Sequence, residues 1–379
     1  MLKLVIAQSN LTLKGGAERV VLKIAQHYNA SIYTIEYDKD RTFGEFKDLD
    51  INVIGKGVLS KILPYGRVSQ GLNYGVSFYN LKLKEDYDVI NAHMVPSHWI
   101  RNRNERVLWY VHTPFRDVYD LYEFRMRLKK FYQKPVHWAG IRAVRSIDQK
   151  VVKRIEGILS NSSNTRSRIV KYYGRRDASV LNGGIEYEKY SDNGTEKYFV
   201  YAARFSPNKR QEYAIDAFRL FEKKVKGYRL LLVGPVSKDK AYYDYYLRIA
   251  AEAKKSSSIR ILKDMDDEKL RDLYSRCTAV LYPPVNEDYG LVPLEAMASY
   301  KPIIAVNEGG PKETVEDGKT GFLVDSEQAM ADKMAYVAEN PQLAAEMGRN
   351  GRRRVSERYS WEAFFREFDK HVKKVGKKG

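Results

Sequence analysis

The residues best suited to chemistry in this sequence lie between 282 and 324. Glu287 and Glu295 stand with seven residues between them, separated by Gly290. Val280-Leu281-Tyr282 reads as a strand, and Pro283 and Pro284 end it because proline cannot donate to a ladder. Gly290 lets backbone approach a ligand with no side chain in the way. The amides of Gly290, Leu291 and Val292 open a helix through Leu294-Glu295-Ala296-Met297-Ala298, and unpaired donors at a helix start form an anion site. A carboxylate accepts two hydroxyls at once. Glu287 before the turn and Glu295 inside the helix would then face different ends of one ligand. The stretch reads as a site for a molecule with a phosphate in the middle and a sugar at each end.

Three further groups extend that chemistry. Arg204 and Lys209 are cations five apart in a loop after the strand Tyr198–Ala202. Arg binds a diphosphate through paired donors and Lys acts as a point charge; solvated loop charges are the plainer reading. Gly15-Gly16 lies between the first strand, Lys3–Ala7, and a helix reaching Tyr28, where a phosphate could meet backbone amides. A glycine pair also serves any tight turn, and no full GxGxxG fingerprint is present. His112 follows the strand Arg106–Val111, at the carboxyl edge where open parallel sheets bind ligands. That position singles it out from the other five histidines, against the alternative of a structural ring. The acid-x-acid triplets Asp48-Leu49-Asp50 and Asp86-Tyr87-Asp88 read as turns before strands. Asp264-Met265-Asp266 reads as a helix N-cap with an acidic first turn. No catalytic metal and no cofactor are expected from them.

The elements needed to position these groups repeat along the chain. Apolar strand-like runs at Ser31–Ile35, Asp50–Ile54, Asp88–Ala92, Gly157–Asn161, Leu230–Gly234 and Ile259–Leu262 alternate with helical patterns. That alternation predicts parallel sheets covered by helices. At 379 residues, 44% hydrophobic and 30% charged, the chain is globular and long enough for two domains. A single cysteine, Cys277, excludes a disulfide framework and a cysteine zinc site. No apolar run approaches the ~20 residues of a membrane span. The opening MLKLVIAQSN reads as a strand and not a signal peptide, so the expected location is cytoplasmic or peripheral on the cytoplasmic membrane face. Helices at Gln328–Glu339, Gln342–Arg358 and Trp361–Val375 close the sequence.

A net charge of +18 calls for an anionic partner. Basic residues concentrate between Phe124 and Arg154, among them Lys129, Lys130, Lys134, Arg142 and Arg145, interleaved with Phe131, Tyr132, Val136, Trp138 and Ile141. A second mixed apolar and basic run covers Leu59–Arg67. Such surfaces meet anionic lipid or a phosphate-carrying acceptor, or are solvated helix faces over an apolar core. Nucleic acid is not an expected partner, because no recognised nucleic-acid module accompanies the charge.

The sequence Glu287, Tyr289, Gly290, Glu295, Ala296-Met297-Ala298, Gly309-Gly310, Glu313, Gly318 and Gly321 resembles the signature of the retaining family-four glycosyltransferases. Asp288 stands where the family usually has a small residue, and Tyr300 where it usually has Gly. The resemblance implies the GT-B fold: α/β, two Rossmann-like domains facing each other across a cleft. Residues 1–178 would form the acceptor domain, rejoined by a C-terminal helix at 361–379, and 179–360 the donor domain. It implies transfer of a hexose from a nucleotide-diphosphate sugar to a lipid-linked or other glycan acceptor, with retention and without metal. By the same resemblance Arg204 and Lys209 clamp the diphosphate beside Gly15-Gly16. Glu295 holds the ribose, and Glu287 and His112 flank the transferred sugar. His112-Thr113-Pro114 with Arg116, Tyr119 and Asp120 is similar to a GDP-mannose-dependent mannosyltransferase subgroup. A UDP-sugar donor is the alternative, as is a sugar-nucleotide epimerase of the same fold.

Overall fold

A computed structural model describes residues 2–55, 67–120, 122–127 and 129–377. The mixed run at 59–66 lies outside the described residues. The chain forms two compact units, residues 1–183 with 365–379, and residues 184–364.

The first unit is built on seven parallel strands: β1 (Leu4–Leu11), β2 (Ser31–Tyr37), β3 (Ile51–Val53), β4 (Val89–His93), β5 (Val107–Val111), β6 (Gly157–Ser160) and β7 (Ser179–Val180). Their order is β3-β2-β1-β4-β5-β6-β7. β4 and β5 are buried at every residue, as expected of parallel strands covered on both faces. Chain order reverses between β1 and β4, and that switch opens a crevice at the carboxyl edge. The division between units falls after Gly183 and not at 179, because Ser179 and Val180 pair with Leu159 and Ser160 of β6. The C-terminal helix Trp361–Gly376 starts in the second unit and belongs to the first from Phe365 onward. Phe368, Val372 and Val375 are buried at helical spacing. Phe365 stacks on His27 at 3.9 Å, and the Tyr28 hydroxyl donates to Asp369 at 2.6 Å.

The second unit holds β8 (Tyr198–Ala202), β9 (Arg229–Gly234), β10 (Ile259–Lys263), β11 (Ala279–Tyr282), β12 (Ile303–Val306) and β13 (Gly321–Val324), ordered β10-β9-β8-β11-β12-β13 and all parallel. Its reversal lies between β8 and β11. The apolar faces of helices Gln211–Lys224, Leu291–Ala298 and Glu327–Glu339 complete its core. The sequence reading placed no strand at β7, β12 or β13, each of four residues or fewer.

The basic run divides into helices Tyr122–Arg127 and Lys134–Arg154. The second helix is anchored by its one buried acid. Asp148 accepts from His98 at 2.8 Å, Trp99 at 2.7 Å, and the hydroxyls of Tyr119 and Tyr173 at 2.9 Å each. Burial alone would raise this carboxyl, but the converging donors hold it below its ordinary value. Tyr119 is therefore engaged in this core network, whereas Arg116 and Asp120 pair at 2.9 Å.

Candidate active site

In the second unit the site loops follow the two strands that flank the chain reversal. After β8 comes Ala203-Arg204-Phe205-Ser206, then a single turn Pro207–Lys209, then helix Gln211–Lys224. After β11 comes the loop 283–290 and helix Leu291–Ala298. The loops are tied by Val285 N–H to the Asn208 carbonyl at 2.9 Å. Lys209 Nζ reaches Glu287 Oε2 as an ion pair bridging the switch. The hydroxyl of buried Tyr282 also bonds to Glu287, and its proton is held firmly, first by burial and then by the Glu287 charge. Glu287 is thus oriented from two sides, by a cation and by a neutral donor.

Arg210, beside the predicted pair, has a structural task. It adopts φ +48°, donates to the Pro283 carbonyl at 2.6 Å and the Pro284 carbonyl at 3.2 Å, and pairs with Glu308 at 2.9 Å. Arg204 is exposed. Its backbone carbonyl accepts from Gln211 at 3.0 Å, which fixes the loop from which its guanidinium projects.

The glycines act on the same loop. Gly290 has φ +86° at the helix N-cap, and a Cβ there would sit 3.1 Å from the Tyr282 ring. Leu291 and Val292, half-buried, supply the open amides, while Pro293 has none. Gly309 has φ +61°, and any Cβ there would collide with the Glu287 backbone; at Gly310 it would collide with that of Tyr289. Gly310 N–H donates to the Glu287 carbonyl at 2.8 Å. The pair exists so that two backbones can touch behind the carboxylate. Glu295, half-buried, accepts from the hydroxyl of Tyr274 at 3.2 Å. Tyr289 is buried beneath the loop.

In the first unit the predicted groups stand on one sheet edge. Gly15 caps helix Gly16–Tyr28 in extended conformation. A Cβ on Gly15 would strike the carboxylate of Glu18 and approach Leu13 Cδ1 to 2.8 Å. Glu18 is buried and accepts its own backbone N–H, and burial pushes its carboxyl up to about 7. The open helix end therefore holds the chain's own acid, at the third helical position where a capping-box glutamate sits. That spacing, Gly15-x-x-Glu18, was the signal available in sequence. His112, half-buried just past β5, lies 3.0 Å from His93 Nδ1 at the end of β4. Burial lowers the His112 imidazole to about 3. The triplets behave as turns and caps: Asp88 accepts the Lys3 amide at 2.7 Å and Asp266 the Lys269 amide at 2.8 Å.

Two parallel α/β units, each with a chain reversal in its sheet, have the plan of a class, the GT-B glycosyltransferases, and comparison with known proteins agrees. The family model "Glycosyltransferase Family 4" matches residues 14–189, and "Glycosyl transferases group 1" matches residues 185–354. Together the two matches span residues 14–354; the chain is a glycosyltransferase, and they support family 4 as its family. It is 29% identical to the alpha-1,3/1,6-mannosyltransferase ALG2 of Mus musculus, over 95% of this chain and 94% of that one. It is 28% identical to the Homo sapiens protein of the same name, over 95% and 93%. The crystal structure of Anabaena HepE in complex with UDP and glucose superposes with TM-score 0.75 at 18% identity, covering 98% of this chain and 100% of that one. That likeness concerns the fold.

Proposed function

We propose that this enzyme transfers mannose from GDP-mannose, with retention and without a metal, to a lipid-linked or other glycan acceptor. The observation that carries the sugar is the near-full-length similarity to proteins named alpha-1,3/1,6-mannosyltransferases. The hard step is departure of the nucleoside diphosphate, on which negative charge builds. In this reading Arg204, Lys209 and the amides at Leu291 and Val292 stabilise that charge, and Gly15-Gly16 offers further amides. Each such donor is worth about 3 kcal/mol in the transition state. Lys209 would exchange its contact with Glu287 for the phosphate, freeing Glu287 to accept hydroxyls of the transferred sugar. Glu295 would bind the ribose. His112 would face the sugar. The departing phosphate would take the acceptor's proton as the acceptor attacks on the face it leaves.

Donor choice is tested by thermal unfolding with GDP-, UDP- and ADP-sugars, with and without chelator. A ligand at a hundred times its Kd adds about 2.7 kcal/mol, so the donor should be visible. Stabilisation by GDP-mannose that survives chelator is the expected result. A response to UDP-sugars alone would replace the donor, and loss of the response with chelator would end the metal-free mechanism.

The acceptor reading places the enzyme on the cytoplasmic face of an anionic membrane. No helix among the described residues is long and apolar enough to cross a membrane. Support comes from Phe131, Tyr132, Val136 and Trp138, all exposed, Phe131 at 83%. Around them stand exposed Lys129, Lys130, Lys134 and Arg142, the last 4.9 Å over the Trp138 ring. Aromatic rings set among cations suit the headgroup layer. The variant F131D/W138D should lose most binding to anionic vesicles in sedimentation at low salt, with unchanged unfolding temperature because both rings face water. Undiminished sedimentation would remove this helix from the membrane surface.

A further inference from the structure

We infer that Asn91 and His93 form a proton-ordering relay that sets the tautomer of His112, so that its ring meets the sugar donor as a hydrogen-bond acceptor through Nδ1. The inference rests on the reading of His112 as the residue facing the transferred sugar. Its premises are bonds within the first unit.

The relay starts at a backbone carbonyl. Asn91 Nδ2 donates to the Leu108 carbonyl at 2.9 Å. A carbonyl only accepts, so the amide nitrogen must face it and Oδ1 must face the other way. Asn91 Oδ1 lies 2.6 Å from His93 Nε2. That oxygen also only accepts, so the proton of His93 sits on Nε2. His93 is fully buried; among the described residues its ring bonds to Asn91 and His112 and lies 5.5 Å from the Tyr110 ring, with no acid paired to it. Burial, and then the adjacent His112, hold it well below the ordinary imidazole range. Its Nδ1 is therefore a bare lone pair. His112 Nε2 stands 3.0 Å from that lone pair and must supply the hydrogen.

Two consequences follow for His112. Its Nε2–H is used internally, and its Nδ1 is left as an acceptor, on a ring that is only half-buried. A bare Nδ1 takes a hydrogen bond from a sugar hydroxyl, and it adds no positive charge beside an anomeric carbon that becomes cationic as the diphosphate leaves. The backbone holds the ring in place: Asn161 Nδ2 donates to the His112 carbonyl at 2.9 Å. β4 lies beside β5, so a residue at its carboxyl end stands next to the ring. The sequence singles out His112 over His93 by its place at the carboxyl edge of a strand and by the family resemblance.

The test combines nitrogen-15 NMR of histidine-labelled protein with kinetics. In the wild type both rings should show the neutral Nε2–H form near pH 7. Asn91→Leu removes the acceptor that orders the relay, and His93→Phe removes the lone pair while keeping a ring against Tyr110. In either variant the Nδ1–H form of His112 should appear, and KM for the donor should rise about tenfold, the worth of about one hydrogen bond. An Nδ1–H tautomer of His112 in the wild type, or variants with altered tautomer and unaltered kinetics, would overturn the inference. Either variant alone suffices should the other not fold. His112→Ala separates the two readings. If it transfers as well as wild type while the tautomers are as stated, the placement of His112 at the sugar fails and the relay remains.

Discussion

At the scale of residues, Glu18 makes a sharp pH prediction. Its carboxyl is buried over Gly15 and pushed up from 4.5 to about 7. Below 4.5 folded and unfolded chains both carry the proton, and the group contributes no pH dependence. Between 4.5 and about 7 the unfolded chain releases it while the folded one keeps it. Stability therefore falls as pH rises through that window, by about 3 kcal/mol in all, and is flat above it. Glu18→Gln should abolish that slope and raise the unfolding temperature more at pH 8 than at pH 5. Equal gains at both values would show that the carboxyl is not the titrating group. In the sequence one acid in a first helical turn is commonplace. Only its burial against a glycine gives it a function. Lys209 and Glu287 were each legible from type and position, but not as partners. Their pairing depends on β8 and β11 being neighbours, and 78 residues separate the two side chains.

Among the elements, the loop that carries Glu287 is shaped by the glycine pair after β12. Gly310→Ala would push a methyl into the Tyr289 backbone. We expect a loss of about 1–3 kcal/mol, as for overpacking elsewhere, together with loss of transfer. Gly318→Ala is the control: it sits at φ +75° with open space around its Cβ, so it should cost only about 1 kcal/mol of backbone strain and leave transfer intact. Calorimetry with an activity assay checks both. If Gly310→Ala were as mild as Gly318→Ala, the Gly309-Gly310 contact would not be what holds Glu287. β5 and β8 were legible as unbroken apolar runs, and β11 as a shorter run closed by Pro283 and Pro284. The chain turns at Gly309 and Gly310 were visible as punctuation, but what they touch was not, because the contact is between the loops after β11 and β12, beyond the span of either turn.

At the scale of the molecule, the two units have separate cores and the proposed nucleotide contacts belong mainly to the second. Cys277 is fully buried there and its thiol is pushed up to about 12, so it should be inert to thiol reagents until that unit opens. Buried Trp99 and Trp109 report on the first unit. Saturating GDP should slow Cys277 labelling, since ligand binding stabilises the unit that holds it. The unfolding midpoint from tryptophan fluorescence, read with Trp361→Phe because Trp361 lies in the second unit, should move less. Coincident shifts of both probes would mean that the units unfold as one cooperative body.

The sequence by itself determined the alternation of strands and helices, the two-unit plan, and the residue types at each loop. Those follow from local periodicity, from turn chemistry and from the reach of a side chain beside its own strand. Tertiary structure alone decided which loops meet. The strand orders bring Lys209 to Glu287 and His93 to His112, and they place Tyr274 and Tyr282 behind the two glutamates. Parallel sheets join strands that are remote in sequence, so the partners of a site residue are set by strand order and burial, which no local window of the chain contains.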